Sequence, residues 1–167
     1  MNGYDTRRRW ASGNGEGGVT FIEMLVALTV LAILATAALP LLRWEQKRRD
    51  EARLRTTLRT LRSAVDQYKK YADEGLIILH DVDQLGYPST LEELVEGVDV
   101  GDPQSTEAKV VRFLQRIPVD PFTGEAEWGM RSYQDDWDSN SWGGENVYDV
   151  YSLSDIRALD GTYYKDW

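Results

Sequence analysis

Cysteine is absent from the 167 residues. That excludes a disulfide, a thiolate metal centre, a cysteine nucleophile and a cysteine-linked lipid. Histidine occurs once, at His80, which argues against a multi-histidine metal centre or a Ser-His-Asp enzyme. No other pairing of nucleophile and base stands out, and the chain is expected not to be an enzyme. With 28 acidic against 19 basic residues the formal charge is -9, which argues against a nucleic-acid partner. Two further absences are local. No charged residue occurs from Met24 to Leu42, and neither glycine nor proline occurs from 41 to 74.

What is present is divided unevenly. Residues 43–71 hold ten basic and four acidic side chains, whereas residues 72–167 hold six basic and 21 acidic. This split predicts a basic stalk followed by an acidic head. The uncharged run, MLVALTVLAILATAALPLL, has 19 residues. As a helix it would extend roughly 28 Å, close to the thickness of the bilayer hydrocarbon. Leucine and alanine dominate it, and the hydroxyls of Thr29 and Thr36 have backbone carbonyls one turn back to bond. Pro40 falls near its end, where a membrane span tolerates proline. A secretory signal peptide is the competing reading, since Ala35-Thr36-Ala37 fits a small-x-small cleavage pattern. The distance of Arg7, Arg8 and Arg9 from the run, and Glu23 at its mouth, speak against it. A carboxylate inside a span costs roughly 2.5–3.5 kcal/mol at the centre and less near an end. The alternative to a partner for Glu23 is a place among the lipid headgroups.

The junction before the run reads Gly17-Gly18-Val19-Thr20-Phe21-Ile22-Glu23. This resembles the class III signal of type IV pilin-like proteins. The resemblance implies cleavage between Gly18 and Val19 by a membrane-embedded prepilin peptidase, and methylation of the new amino terminus at Val19. Glu23 matches the family's glutamate at the fifth mature position, and Pro40 matches its helix proline at the twenty-second. The family pairs that glutamate with the amino terminus of a neighbouring subunit during assembly. Valine is less common than phenylalanine or methionine at the first mature position.

Beyond the run, Leu54, Leu58, Leu61, Val65, Tyr68 and Ala72 recur at steps of four and three, the apolar stripe of an amphipathic helix. The expected division is a leader at 1–18, an assembly helix at 19–42, an amphipathic stalk helix at 43–74 and a head at 75–167. Gly75 ends the long helix. Ser89 and Glu92 suggest a capping box for a short helix over Tyr87–Val95. Asp102-Pro103 suggests the start of another, with Val110, Val111, Phe113 and Leu114 as its apolar side. Residues 117–124 carry turn chemistry. Ala126–Tyr133 and Asn146–Ser152 read as strands, separated by a polar loop that contains Trp137 and Trp142. The expected fold class is α+β: a long amino-terminal helix packed on a small antiparallel sheet, as in pilin-like proteins.

The order Tyr-Pro-Ser-Thr-Leu-Glu-Glu-Leu, then Ile-Pro-Val-Asp-Pro, then Asp149-Val150-Tyr151-Ser152 is similar to that of the major pseudopilins of type II secretion. This implies a structural subunit of a short periplasmic filament that drives protein export. The implied partners are copies of itself, other pseudopilins, the prepilin peptidase, an assembly platform with its ATPase, and the membrane. The implied location is the bacterial inner membrane, crossed once, with the head in the periplasm. The positive-inside rule alone would favour the opposite orientation, because the stalk is more basic than the leader. The resemblance also implies calcium in the loop after the last strand, with Asp155, Asp160 and Ser154 at the matching positions. A second candidate cation loop is Asp135, Asp136, Asp138 and Asn140; both could instead be solvated acidic loops. Phe122-Thr123-Gly124 and the tail from Ala158 depart from the usual pseudopilin pattern. Two further readings remain: a type IV pilin building fibres for adhesion or motility, disfavoured by the missing disulfide, and an anchored domain using Trp137 and Trp142 to bind a sugar or peptide.

Overall fold

The computed structural model describes residues 18–79, 81–101 and 109–167, with backbone alone at 37–42. Two units make it up, Met1–Leu42 and Arg43–Trp167. One helix, α1, is assigned to Phe21–Asp73 and contributes to both. Pro40 is one of its positions; the side chain of Pro40 lies outside the described residues, as do the leader up to Gly17 and His80.

In the first unit every described residue from Gly18 to Thr36 is exposed. Phe21 is 80% exposed and Ile33 70%. Thr29 Oγ1 donates to the carbonyl of Leu25 at 2.9 Å, and Thr36 Oγ1 to that of Ala32 at 2.6 Å. The polar atoms of these side chains are therefore satisfied inside the helix, and the surface it presents is apolar.

The second unit is organised by the apolar stripe. Leu54, Leu58, Leu61, Val65 and Tyr68 are all buried, joined by Ala64 one position off the expected series. Their partners include Leu91, Leu94, Trp128, Val147, Val150 and Tyr164. Each buried aliphatic side chain is worth about 1.5–3 kcal/mol. The helix stops at Gly75 with φ +71°. Gly75 N donates to the Ala72 carbonyl and Leu76 N to that of Tyr71, the double reversal of a Schellman end.

The head then runs as a 3-10 turn at Val82–Gln84, a short helix α2 at Leu91–Glu96, strands β1 Val98–Val100 and β2 Lys109–Val111, and strands β3 Gly129–Arg131 and β4 Asp149–Tyr151. A second 3-10 turn follows at Tyr164–Asp166. β1 pairs antiparallel with β2, Val98 opposite Val111, and β3 pairs antiparallel with β4, Gly129 opposite Tyr151.

Three expectations need correction. The single sheet is two separate two-stranded sheets. Val110 and Val111 belong to strand β2 rather than to a helix from Asp102, whose start lies outside the described residues. β-Branched valines on both strands suit this pairing better than a helical turn. The box at Ser89 and Glu92 does not form, since Thr90 is the N-cap of α2 and its side chain makes no capping bond. Instead Glu93 Oε2 accepts from Ser89 N at 2.8 Å while its Oε1 accepts from Tyr68 Oη at 2.7 Å. One carboxylate thus ties the start of α2 to α1. Burial, and then this bond to Glu93, raises the Tyr68 pKa above the ordinary phenol value.

The β3–β4 pair leaves no room at Gly129, where a Cβ would stand 2.3 Å from the Tyr151 ring. Gly129→Ala is expected to displace that buried ring and destabilise the head by about 1–3 kcal/mol, read as a lower urea midpoint.

Candidate functional site

The first candidate site is the start of α1. Gly18 and Val19 precede the helix and are exposed. A Cβ at Gly18 would meet none of the described residues within 4 Å, so contacts among these do not require glycine there. Thr20 Oγ1 accepts from Glu23 N at 3.3 Å, and the Thr20 carbonyl accepts from Met24 N at 3.1 Å. Thr20 therefore acts as the N-cap. The Thr-x-x-Glu spacing was the available sequence signal for this cap. Glu23 is acidic in the first turn and exposed, so its carboxylate lies where unpaired N–H groups give the helix a positive end. This gives it partial compensation before any amine is considered. Trp44, 67% exposed directly after Arg43, was also missed. An amphipathic ring next to a cation just past an apolar run is the usual composition of a membrane–water boundary.

The second candidate site is the segment after β4. Asp155 is at the surface, and its Oδ1 accepts from Lys165 Nζ at 3.0 Å. This bond, with the attraction of the Asp155 charge, raises the Lys165 pKa. Asp160 Oδ1 accepts from Thr162 Oγ1 at 2.7 Å and Thr162 N at 3.0 Å, and Arg55 stands 3.6 Å from its Oδ2. The Thr162 bonds lead in lowering the Asp160 pKa, with Arg55 adding to them. Ser154 is buried, and its Oγ accepts from Ile156 N at 3.4 Å. Among the described residues no group of three or more His, Asp or Glu side chains gathers closely enough to hold a metal ion. In this arrangement Asp155, Asp160 and Ser154 each accept from a donor of the chain itself.

The loop from Asp135 to Gly144 is likewise internally bonded. Asp135 Oδ2 accepts from Ser132 N at 2.7 Å and Gly143 N at 3.1 Å. Trp142 packs against the core and its Nε1 donates to the Asn146 carbonyl, whereas Trp137 is 87% exposed. The anchor is Asn146, fully buried: its Nδ2 donates to the Asp83 carbonyl and Gln134 Oε1, and its Oδ1 accepts from Tyr133 N.

Several stalk cations turn inward to the head. Arg62 donates to Asp149 Oδ1 at 2.7 Å and to the carbonyls of Val150 and Trp167 at 3.0 and 2.7 Å. Lys47 donates to the Arg157 carbonyl at 2.6 Å. Part of the basic face of the stalk is thus spent within the chain.

An exposed apolar helix behind Gly18, capped by Thr20 and carrying one acid in its first turn, defines the class of prepilin-type proteins. A sequence profile described as "Prokaryotic N-terminal methylation motif" matches residues 13–39. Beyond this class, the chain is 30% identical over 144 residues to the type II secretion system core protein G of Pseudomonas aeruginosa, covering 83% of this chain and 82% of that protein. It is 27% identical to the core protein G of Pectobacterium carotovorum, covering 85% and 78%, and 27% identical to that of Vibrio cholerae, covering 81% and 78%. The chain belongs to the type II secretion system core protein G family. No solved structure matches it. The methylation motif marks a membrane-anchored secretion component. Among the described residues, no helix is long and apolar enough to cross a membrane.

Asn146→Ala would strand the Tyr133 amide and remove the anchor of the 135–144 loop. It is expected to lower unfolding free energy by about 2–3 kcal/mol in urea melts.

Proposed function

We propose that this chain is a structural pseudopilin of a type II secretion system, assembling with copies of itself into a short periplasmic filament that drives protein export. The observation that carries this is Glu23 at the start of a helix whose described surface, Val19 to Thr36, is otherwise apolar apart from its threonines and exposed throughout. Such a surface is stable in lipid or among equivalent helices, and not in water. The family to which the chain belongs supports the same role.

In this reading residues 1–18 form a leader that a prepilin peptidase removes, and Val19 becomes the methylated amino terminus. The subunit waits in the inner membrane as a single-pass protein with its head in the periplasm. The Val19 amine and the positive end of α1 compensate Glu23, in its own subunit before assembly and in a neighbour afterwards. Pro40 lies in the same assembly helix. The assembly platform and its ATPase then draw subunits into the filament, where other pseudopilins join. The role is mechanical, and no catalytic group is assigned.

A type IV pilin building surface fibres is the second reading. The absence of cysteine disfavours it, since most such pilins close the carboxyl-terminal loop with a disulfide.

Mass spectrometry of the protein from cells is expected to find an amino terminus at Val19 carrying one methyl group; an intact Met1 would overturn the assignment. Glu23→Ala is expected to insert into membranes at unchanged levels but to be lost from sheared or cross-linked filaments. Its normal incorporation would remove the charge pair from the mechanism. Loss of export without loss of surface fibres in a deletion strain separates the pseudopilin from the pilin.

A further inference from the structure

We propose that the carboxyl-terminal segment, residues 153–167, is closed by cations of the chain itself, Lys165 on Asp155 within the segment and Arg55 of α1 on Asp160, so that it folds and stays folded without calcium. The proposal concerns the head alone and does not depend on the pseudopilin reading.

The segment carries three aspartates against Arg157 and Lys165, so left to itself it repels the acidic head. A divalent ion is one remedy, and it requires six to eight oxygens at about 2.3–2.6 Å. Here several oxygens of the segment already face other donors. The carbonyl of Ile156 accepts from Tyr164 N at 3.3 Å, that of Arg157 from Lys47 Nζ at 2.6 Å and that of Ala158 from Gly161 N at 3.1 Å. Asp160 Oδ1 holds both bonds from Thr162, and its other oxygen faces Arg55. Asp155 faces Lys165. To ligate the carboxylates, calcium would have to displace a lysine from one and an arginine from the other.

The same cations are braced by rings. Arg55 lies over the Trp167 ring at 4.2 Å from its centroid, and Trp167 Nε1 donates to Thr162 Oγ1 at 2.7 Å. Lys165 stands 5.4 Å from the Tyr163 ring, and Arg157 lies over the same ring at 4.7 Å. Arg55, Thr162, Asp160 and Trp167 therefore form one closed set of contacts between α1 and the tail. Exposed ion pairs contribute little singly. Their combination with cation–π contacts and with the Arg62 bonds at the tail's last residue makes the closure.

The test is thermal unfolding of the full chain in detergent, with excess calcium and with a chelator. A site occupied a hundredfold above its dissociation constant would raise the melting temperature by roughly 5–10 °C. The expected result is the same melting temperature in both conditions; a rise of several degrees with calcium, reversed by chelation, overturns the proposal. The double variant Arg55→Gln, Lys165→Gln is expected to lower the melting temperature by a few degrees and to open residues 153–167 to proteolysis. If the tail of that variant stays as protected as in the parent, the two cations are not what closes it.

Discussion

The stripe from Leu54 to Tyr68 is the constraint on which the head depends. It supplies the surface on which residues of α2, the β3–β4 pair and the carboxyl-terminal turn pack together. None of these could bury itself alone, since the strands are three residues long and α2 has six. The aromatic side chains show how the stripe organises what packs on it. Phe113 sits against both Tyr68 and Tyr71, and Tyr164 stacks on Phe122 at 3.9 Å while meeting Trp167 edge-on. A head of such short elements is held by the helix beneath it more than by its own sheets.

Charge is the second organising force, and the two ends of its imbalance answer each other. The basic stalk and the acidic head look unrelated along the chain. In the fold, Arg62 meets Asp149, Arg55 meets Asp160, and Glu51 accepts from Leu159 N and Tyr164 Oη. Burial, and then the Glu51 bond, raises the Tyr164 pKa. Lysine and arginine spent in this way no longer count as fully exposed positive charge on the stalk.

The amino-terminal part of α1 obeys another rule. Its hydroxyls are bonded internally and its apolar side chains are not covered by any of the described residues. Thr20 and Glu23 then matter as the point where a helix end and an acid meet, within the span that the methylation motif matches.

Periodicity and spacing alone determined the long helix, the buried stripe, the stop at Gly75 and the internally bonded Thr29 and Thr36, because each depends on residues within a turn or two of one another; the family was legible only as a resemblance of motifs. The strands at 129–131 and 149–151 were also legible, from short apolar segments flanked by turn residues. The division into two small sheets and the switch of Val110 and Val111 from helix to strand were decided by pairing with Val98–Val100, a partner that local propensity does not name. The capping role of Glu93 rather than Glu92 was decided by Tyr68, 25 residues away on another helix. The partners of Asp155 and Asp160 were decided likewise: Arg55 reaches Asp160 only once the tail lies against α1, and Lys165 reaches Asp155 only once the tail folds back on itself. A carboxylate's partner is a matter of distance in space, and the linear sequence carries that distance only where the backbone between the two groups is regular.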